Sequence, residues 1–339
     1  MGQGRAKIYA DRKCCSSYAC EADRITFEKN IKTMTSNLIE QLRASSTQSL
    51  LKINKFKEGL PSRTAFIKSK LGGKSRAEVI QLGNYLSEAF LLLGRKDRSQ
   101  GGLSSAGAVW EALVVWYLNL CLAGTKAVCL RGGSLCPAPI KDAITIMYES
   151  IALRSEPDVM VISFPDLDTQ PPVSSGQEMM NILNMIAEQR FQKIGVINVQ
   201  CKTNWNDNAQ IPMLWNMLYN QARRGAVIPN GFGIGRRGMT LNNAGFFGYA
   251  FATVPTQKKG PLGYKPSSLE VLRVKSMSCG NYWGFPSISG VCLNISEIFN
   301  FFMRNVDVFP NVSSIGAAVS RYYTEGKSKV FDPNDLLLP

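Results

Sequence analysis

Apolar residues in the first hundred positions recur at the spacing of helices. The clearest sets are Leu38, Ile39 and Leu42, then Leu50, Leu51 and Ile53, then Val79, Ile80, Leu82, Tyr85, Leu86, Phe90 and Leu91. Positions three or four apart share one face of a helix, so these sets predict amphipathic helices. A longer helix is predicted over about 106–123, since Ser104 and Ser105 can cap its start and Gly124 follows its end.

From Lys141 the pattern changes to alternating strands and helices. Ser175-x-x-Glu178 matches a capping box at the start of a helix, and Pro212 and Gly225 bracket another one. Apolar runs with the length and composition of buried strands are found at 158–163, 194–202 and 245–254. Short helices are predicted at about 295–304 and 315–323.

These elements predict an α/β protein with three regions. The first hundred residues form a basic helical region suited to contacts with a nucleic-acid backbone or to dimerisation. Residues 101–260 form the core, and residues 261–339 form a mixed helical and loop extension packed on it.

The sequence contains no histidine, which excludes several classes of active site. Ser-His-Asp and Cys-His pairs, His-ligated zinc or iron, and nucleases with a histidine base cannot be built from this chain. The 9 cysteines form no C-x-x-C pair, so neither a zinc site nor a disulfide framework is expected. Any catalysis must use carboxylates, amides, lysines, hydroxyls, thiols or a metal bound by oxygen.

The basic charge is concentrated at one end of the chain. The net charge is +14, and the first hundred residues hold 19 Lys and Arg against 9 Asp and Glu. An excess of this kind favours a polyanionic partner, most often nucleic acid, because bound phosphates release their counterions. A solvated basic surface without such a partner is the alternative.

No membrane partner is expected. The first residues lack the apolar segment of a signal peptide, and Ala6 stands where a myristoylation motif requires Ser or Thr. The longest apolar stretch, 106–123, is interrupted by Glu111 and its uninterrupted part is too short to span a bilayer. We therefore expect a soluble protein, and since no disulfide framework is expected, the reducing cytoplasm is its default location.

Three polar residues in the predicted strands could form a site for a hard cation. Gln200 and Lys202 share one face of their strand, while Cys201 points to the other. If the two strands pair, Asp158 lies opposite them, giving a carboxylate, an amide oxygen and an ammonium. Oxygen ligands favour Mg²⁺, and an adjacent lysine can orient or deprotonate a water and stabilise negative charge on a phosphate.

Pro157-Asp158 followed by Gln200-Cys201-Lys202 at a strand end resembles the PD-(D/E)XK nuclease motif of type II restriction endonucleases. The resemblance implies an αβββαβ core, with a central mixed sheet flanked by helices. Glu111 falls where that family places a glutamate that completes the metal site. It is also the one charged residue between Arg98 and Lys126, and a carboxylate in an apolar helix is costly without a partner.

The resemblance implies a Mg²⁺-dependent enzyme that cuts double-stranded DNA at a specific sequence. Asp158, Gln200 and Glu111 would bind the metal, and Lys202 would activate water. Cutting both strands of a palindromic site implies a homodimer, since the symmetry of the protein then matches that of the DNA. The functional partner implied by the family is a DNA methyltransferase that protects the host DNA.

Gln200 departs from the family pattern, which usually has Asp or Glu at this position. A Gln carbonyl can still bind a metal, but the site then holds one negative charge fewer. Weaker metal binding or a compensating carboxylate is expected, and the candidates are Glu156, Asp166, Asp168 and Asp207. A relative that binds DNA without cleaving it is the alternative.

Candidate DNA contacts lie in three further segments. Gly233-Ile-Gly-Arg-Arg-Gly238 has the spacing of a dinucleotide motif but opens no helix, so Arg236 and Arg237 are predicted to contact phosphate or guanine. Lys74 follows two glycines without a complete P-loop pattern, and it could contact the backbone. Asn204 and Asn206 follow Lys202 and could read adenine edges. A plain turn or a solvated face explains each of these segments without DNA.

Two other functions fit the same sequence. One is a non-catalytic nucleic-acid-binding protein that uses its basic charge alone. The other is a repair or junction-resolving nuclease of the same fold, whose products would be nicks or cuts that depend on DNA structure.

Overall fold

A computed structural model describes residues 37–70, 76–92, 100–133, 135–153, 157–203, 210–254, 263–277, 281–283 and 288–302. The helices in these ranges, in chain order, are α1 Leu38–Ser49, α2 Asn54–Glu58, α3 Leu60–Lys70, α4 Arg76–Gln81, α5 Leu86–Leu91, α6 Gln100–Leu122, α7 Ala138–Ile144, α8 Gly176–Gln189, α9 Gln210–Arg223, α10 Leu269–Met277 and α11 Glu297–Phe302. The strands are β1 Ala127–Arg131, β2 Ile146–Tyr148, β3 Ile151–Leu153, β4 Val159–Ser163, β5 Gly195–Lys202, β6 Phe232–Ile234, β7 Phe246–Thr253, β8 Asn281–Trp283 and β9 Leu293–Asn294.

The described strands form a mixed central sheet and a small second sheet. The central sheet has 6 strands in the order β1-β4-β5-β7-β8-β9, while β3, β2 and β6 form the small one. Strand β4 runs antiparallel to both β1 and β5, and the pairs from β5 to β9 are parallel. The predicted α/β class and the three long strands are therefore confirmed.

The central sheet is buried on both faces, which explains its nearly continuous apolar strands. Ile197, Val199 and Cys201 of β5 pack in the same apolar cluster as helix α6, and we call this side the α6 face. The alternate residue Val196 packs in a second cluster with Leu218 and Tyr219 of α9, and we call this side the α9 face. Side chains alternate along a strand, so Asn198, Gln200 and Lys202 belong to the α9 face.

The helices of the first hundred residues pack against the core of the sheet rather than standing apart from it. Leu50, Phe56 and Phe90 lie in the same apolar cluster as helix α6. Two of the basic residues in this region are buried and therefore add nothing to a basic surface. Arg43 donates to the carbonyls of Thr125 and Ala127, and Arg63 donates to the carbonyl of Phe56 in α2.

Several predicted helix signals have the expected geometry, and others do not. The Ser175 side chain accepts a hydrogen bond from the Glu178 backbone N–H, but the Glu178 carboxylate returns to Ser174 instead of Ser175. Gly225 has a φ of 67°, as expected just beyond the end of α9. The predicted start of the long helix is wrong, because α6 begins at Gln100 and its first turns include Ser104 and Ser105. The segment predicted as a helix at 315–323 lies outside the described residues.

Gly235 occupies a turn that no other residue type fits without strain. Its φ is 92°, and a Cβ there would lie 2.0 Å from the Met239 carbonyl oxygen. We expect Gly235→Ala to lower the free energy of unfolding by roughly 2–4 kcal/mol, because backbone strain and an unavoidable clash add together. Denaturant unfolding measures the loss. The matched control is Gly176→Ala at the start of α8, where a Cβ meets nothing within 4 Å and a slight gain is expected. Equal stability of the two variants would contradict the turn geometry.

Candidate active site at the end of strands β4 and β5

Asp158 lies directly before β4, beside the end of β5. The antiparallel register places Val159 opposite Val199, so Asp158 lies next to Gln200. The Asp158 Oδ2 atom accepts a hydrogen bond of 2.8 Å from the Cys201 backbone N–H and lies 3.5 Å from the Lys202 Nζ atom. Both side chains are partly exposed, at 25% for Asp158 and 20% for Lys202. The fold therefore brings together two residues that are far apart in the sequence.

Gln200 and Cys201 are more deeply buried than their neighbours at this edge. Gln200 is 3% exposed and belongs to the α9 face, whereas Cys201 packs into the apolar cluster of the α6 face, as the alternation predicts. Burial raises the pKa of the Cys201 thiol well above its usual value, and the charges of Asp158 and Glu111 raise it further. Cys201 is therefore a protonated packing residue.

Glu111 reaches the same edge from helix α6. Its Oε2 atom accepts a hydrogen bond of 3.0 Å from the Nε atom of Arg131, the last residue of β1. Burial is the main cause that raises the pKa of Glu111, and repulsion from Asp158 adds to it, while Arg131 and Lys202 lower it. Two carboxylates and two cations thus influence one another at one edge of the sheet.

Arg131 is a site residue that the sequence did not reveal as one. Two hydrogen bonds align β1 with α6, because the Asn119 side chain donates to the Cys129 carbonyl and accepts from the Cys129 N–H. They bring the end of β1 beside Glu111. The apolar run at 127–130 just before Gly132-Gly133 is the signal that could have identified the strand and its terminal Arg131.

The chemistry of these groups fits a small oxygen-seeking cation. Glu111, Asp158 and Gln200 offer two carboxylates and one amide oxygen, and Mg²⁺ is typically held by one or two carboxylates together with waters and substrate phosphate. Within the described residues, no cluster of three or more His, Cys, Asp and Glu side chains is present that could hold a metal without such help. Lys202 and Arg131 already balance the charge of the two carboxylates, so a bound cation would have to share the carboxylates with these two side chains.

Two of the carboxylates considered as replacements for the charge missing at Gln200 lie elsewhere. Strand β4 carries the chain away from Asp158, and Asp166 follows its other end, where it pairs with Arg190. Asp168 lies in the same distant turn. The prediction that either compensates for Gln200 is therefore wrong. Glu156 and Asp207 lie outside the described residues.

Two of the five residues predicted to contact DNA, Arg236 and Arg237, lie within the described residues. Arg236 and Arg237 occupy the turn after β6, where the Arg236 Nε atom lies 2.5 Å from Asp142 Oδ1 and the Arg237 Nη1 atom lies 3.6 Å from Asp142 Oδ2. The Arg237 side chain is 74% exposed and has a φ of 51°. Asp142 thus orients Arg236 and leaves Arg237 more accessible. Lys74, Asn204 and Asn206 lie outside the described residues.

Comparison of the chain with protein-family models and with curated proteins gives no match. Function must therefore be inferred from the side chains at the edge of the sheet. In the part of the chain that the structure describes, no helix is both long enough and apolar enough to cross a membrane.

Proposed function

We propose that the protein is a Mg²⁺-dependent endonuclease that cuts double-stranded DNA at a specific sequence. The observation that carries the proposal is the meeting of Asp158 and Lys202, 3.5 Å apart at the ends of adjacent strands, beside Glu111 of α6. When α7, β2, β3, α8 and β6 are set aside as insertions, the remaining order α6, β1, β4, β5, α9, β7, with β7 parallel to β5, also supports it. This order corresponds to the αβββαβ core of the PD-(D/E)XK nucleases that the motif resembles.

The site residues have distinct roles in this proposal. Mg²⁺ supplies a Lewis acid that makes a water nucleophilic and offsets the charge that grows on the phosphate. Asp158 and Glu111 provide carboxylate ligands, and Gln200 provides a neutral oxygen. Lys202 lies close enough to Asp158 to orient the water and to stabilise the charge on the phosphate. Arg131 holds the Glu111 carboxylate in place.

The proposed partners are double-stranded DNA, a second copy of the chain and a DNA methyltransferase. Arg236, Arg237 and the basic N-terminal region would hold the DNA backbone, since cations at these positions neutralise phosphates. Lys74, Asn204 and Asn206 remain candidates for the same role. A homodimer would place two sites on the two strands of a palindrome, and a DNA methyltransferase would protect the host DNA.

A non-catalytic nucleic-acid-binding protein is the second candidate, and one observation favours it. Both carboxylates at the site are already paired with cations, Asp158 with Lys202 and Glu111 with Arg131. A site neutralised in this way could persist as a structural feature after cleavage has been lost. The same observation is compatible with a nuclease whose carboxylates exchange these partners for Mg²⁺.

A digest of long mixed-sequence DNA distinguishes the two candidates. With Mg²⁺ we expect discrete fragments, and with EDTA we expect none, because the divalent ion is needed for hydrolysis. Sequencing the fragment ends then identifies the recognition site and the cut position. Retarded DNA without cleavage in Mg²⁺, Mn²⁺ and Ca²⁺ would support the binding protein and contradict the nuclease. Nicks or cuts confined to branched DNA would point to a repair or junction-resolving nuclease.

A further inference from the structure

The turn after β6 is fixed to the end of helix α7 by backbone and side-chain contacts. The Gly235 N–H donates to the Thr145 carbonyl at 2.8 Å, and the Arg236 N–H donates to the Asp142 carbonyl at 3.1 Å. The Arg236 Nε atom also donates to the Asp142 Oδ1 atom at 2.5 Å. Because these hydrogen bonds all reach one short segment, the turn and its first arginine have a defined orientation.

The two arginines of this turn are held in different ways. Arg236 uses its Nε atom on Asp142, and its two terminal nitrogens form no hydrogen bond within the part of the chain that the structure describes. Its side chain is 37% exposed, whereas that of Arg237 is 74% exposed and lies 3.6 Å from Asp142. Arg236 therefore presents a pair of N–H donors in a fixed orientation, and Arg237 presents a loosely held charge.

The backbone at Arg237 adopts a conformation that an arginine takes only at a cost. The φ angle of Arg237 is 51°, between the positive φ angles of Gly235 and Gly238. Glycine enters this left-handed region freely, but a residue with a side chain is strained there. Residues held in such conformations cluster at ligand contacts. The arginine at this position is therefore better explained by a ligand than by the needs of the turn.

We infer that Arg236 reads the edge of a guanine base, that Asp142 is the positioning residue that orients it, and that Arg237 contacts phosphate. This inference rests on the proposed function and refines the backbone contact that the proposal gives to both arginines. Guanine presents its O6 and N7 atoms side by side in the major groove, and two N–H donors of an arginine match them. The terminal nitrogens of Arg236 are such a pair while Nε is bound to Asp142.

The carboxylate beside Arg236 favours a base over a phosphate as its target. The Asp142 side chain is 8% exposed, and its negative charge offsets that of the guanidinium. Binding to a phosphate depends on positive charge, which a neighbouring carboxylate reduces. Binding to a base edge depends on the direction of the donors, and the base carries no net charge. Asp142 would thus weaken a phosphate contact, whereas it improves the orientation that a base contact requires.

Helix α7, which carries Asp142, belongs to a segment that begins and ends at the candidate active site. Strand β1 ends at Arg131, and the chain returns to begin β4 directly after Asp158. The Gly132 N–H donates to the Asp158 carbonyl at 2.9 Å and closes the base of this segment. A contact of Arg236 with DNA therefore acts on the same segment of chain that leads to a proposed metal ligand.

The matched variants Arg236→Ala and Arg237→Ala test the inference, because each removes one arginine from the same turn. The probe is a library of duplexes with a randomised central segment, retained on the protein in Ca²⁺ and then sequenced. We expect the original protein to select guanine at a defined position, and Arg236→Ala to lose that preference by about 10-fold or more. Arg237→Ala should weaken the binding of all duplexes by a similar factor and keep the preference.

Asp142→Asn tests the positioning role through the same preference for guanine. A neutral acceptor holds the guanidinium less firmly than a carboxylate does, so the preference should fall about 3-fold. A smaller fraction of folded protein would lower the binding of all duplexes in equal proportion and would leave the preference unchanged. The preference therefore separates a positioning role from a purely structural one.

A modified base tests the contact without a change in the protein. Replacing the selected guanine by 7-deazaguanine removes the N7 acceptor and keeps the base pair. We expect this replacement to weaken binding by the original protein about 10-fold and binding by Arg236→Ala less than about 2-fold, because the variant has no contact with N7 left to lose.

The possible outcomes keep this inference distinct from the proposed function. A selection without guanine, an unchanged preference in Arg236→Ala, or equal effects of 7-deazaguanine on the two proteins would overturn the role of Arg236 while leaving cleavage at the candidate site unaffected. An unchanged preference in Asp142→Asn would overturn the positioning role of Asp142. If the original protein retains no duplex and cuts no DNA, then the proposed function fails, and this inference fails with it.

Discussion

Lys202→Ala is expected to reduce the rate of DNA cleavage about 10³-fold while leaving DNA affinity within a few-fold of the original protein. The loss has this size because removing one group that stabilises the transition state typically costs 10²–10³-fold in rate. Affinity changes little, because a single phosphate contact is a small share of a basic interface. Single-turnover cleavage of an end-labelled duplex and a binding titration in Ca²⁺ measure the two quantities.

Lys193→Ala is the control for this variant. Lys193 is an exposed lysine just before the opposite end of β5, so it shares the charge and the neighbourhood in sequence but not the site. We expect cleavage by this variant at close to the original rate. If Lys202→Ala cleaves as fast as Lys193→Ala, then the assignment of Lys202 is wrong, and a contaminating nuclease would become the first explanation for any activity.

Glu111→Gln is expected to slow cleavage at least about 100-fold and, without metal, to make the protein more stable at neutral pH. The first effect follows from the loss of a carboxylate ligand. The second follows from the raised pKa of Glu111, which means that burial and Asp158 destabilise its charged form in the folded state. A neutral amide at this position avoids that cost.

The pH dependence of stability has a definite sign. A carboxyl group whose pKa is higher in the folded state contributes stability below its unfolded pKa, about 4.3 for Glu, and that contribution is lost as the pH rises through the folded pKa. The melting temperature of the original protein should therefore fall relative to that of Glu111→Gln as the pH is raised from about 4 to 7.

Added Mg²⁺ should reverse the order of stability. A cation that binds the folded state adds about 2.7 kcal/mol when its concentration is 100 times its dissociation constant, and Glu111→Gln should lose most of that gain. Melting curves over a pH series with EDTA or Mg²⁺ measure both effects. The control is Glu188→Gln on the exposed side of α8, which should show neither. A lower melting temperature of Glu111→Gln at pH 7 in EDTA would show that Arg131 outweighs burial.

The long apolar segments could be predicted because they carry a strong local signal. Strands β4, β5 and β7 follow continuous apolar runs, and their order with α6 and α9 followed from simple spacing. Asp158 stood out because it begins such a run and Lys202 because it ends one, and Glu111 stood out because its helix is otherwise apolar. A polar residue at the end of an apolar run, or a single charge within an apolar helix, can be recognised before the residues that it contacts are known.

The remaining parts of the structure depend on contacts that spacing does not encode. Strands β2, β3 and β6 have three residues each, too few to show an alternation, and β6 pairs with β2 across a long stretch of chain. Arg131 could not be assigned to Glu111 without knowing that Asn119 aligns β1 with α6. The sequence did not single out Asp142, and its contact with Arg236 follows only from the pairing of β2 with β6.

Cys201 has a consequence for the reactivity of the site. Its thiol is held on the α6 face of β5, and its raised pKa suppresses the thiolate form that reacts with oxidants and alkylating agents. The residue next to Lys202 in the chain is thus removed as a competing nucleophile while β5 remains in the sheet. Oxidation at this position is therefore slowed as long as β5 stays in the sheet, so the folded core helps to protect the site.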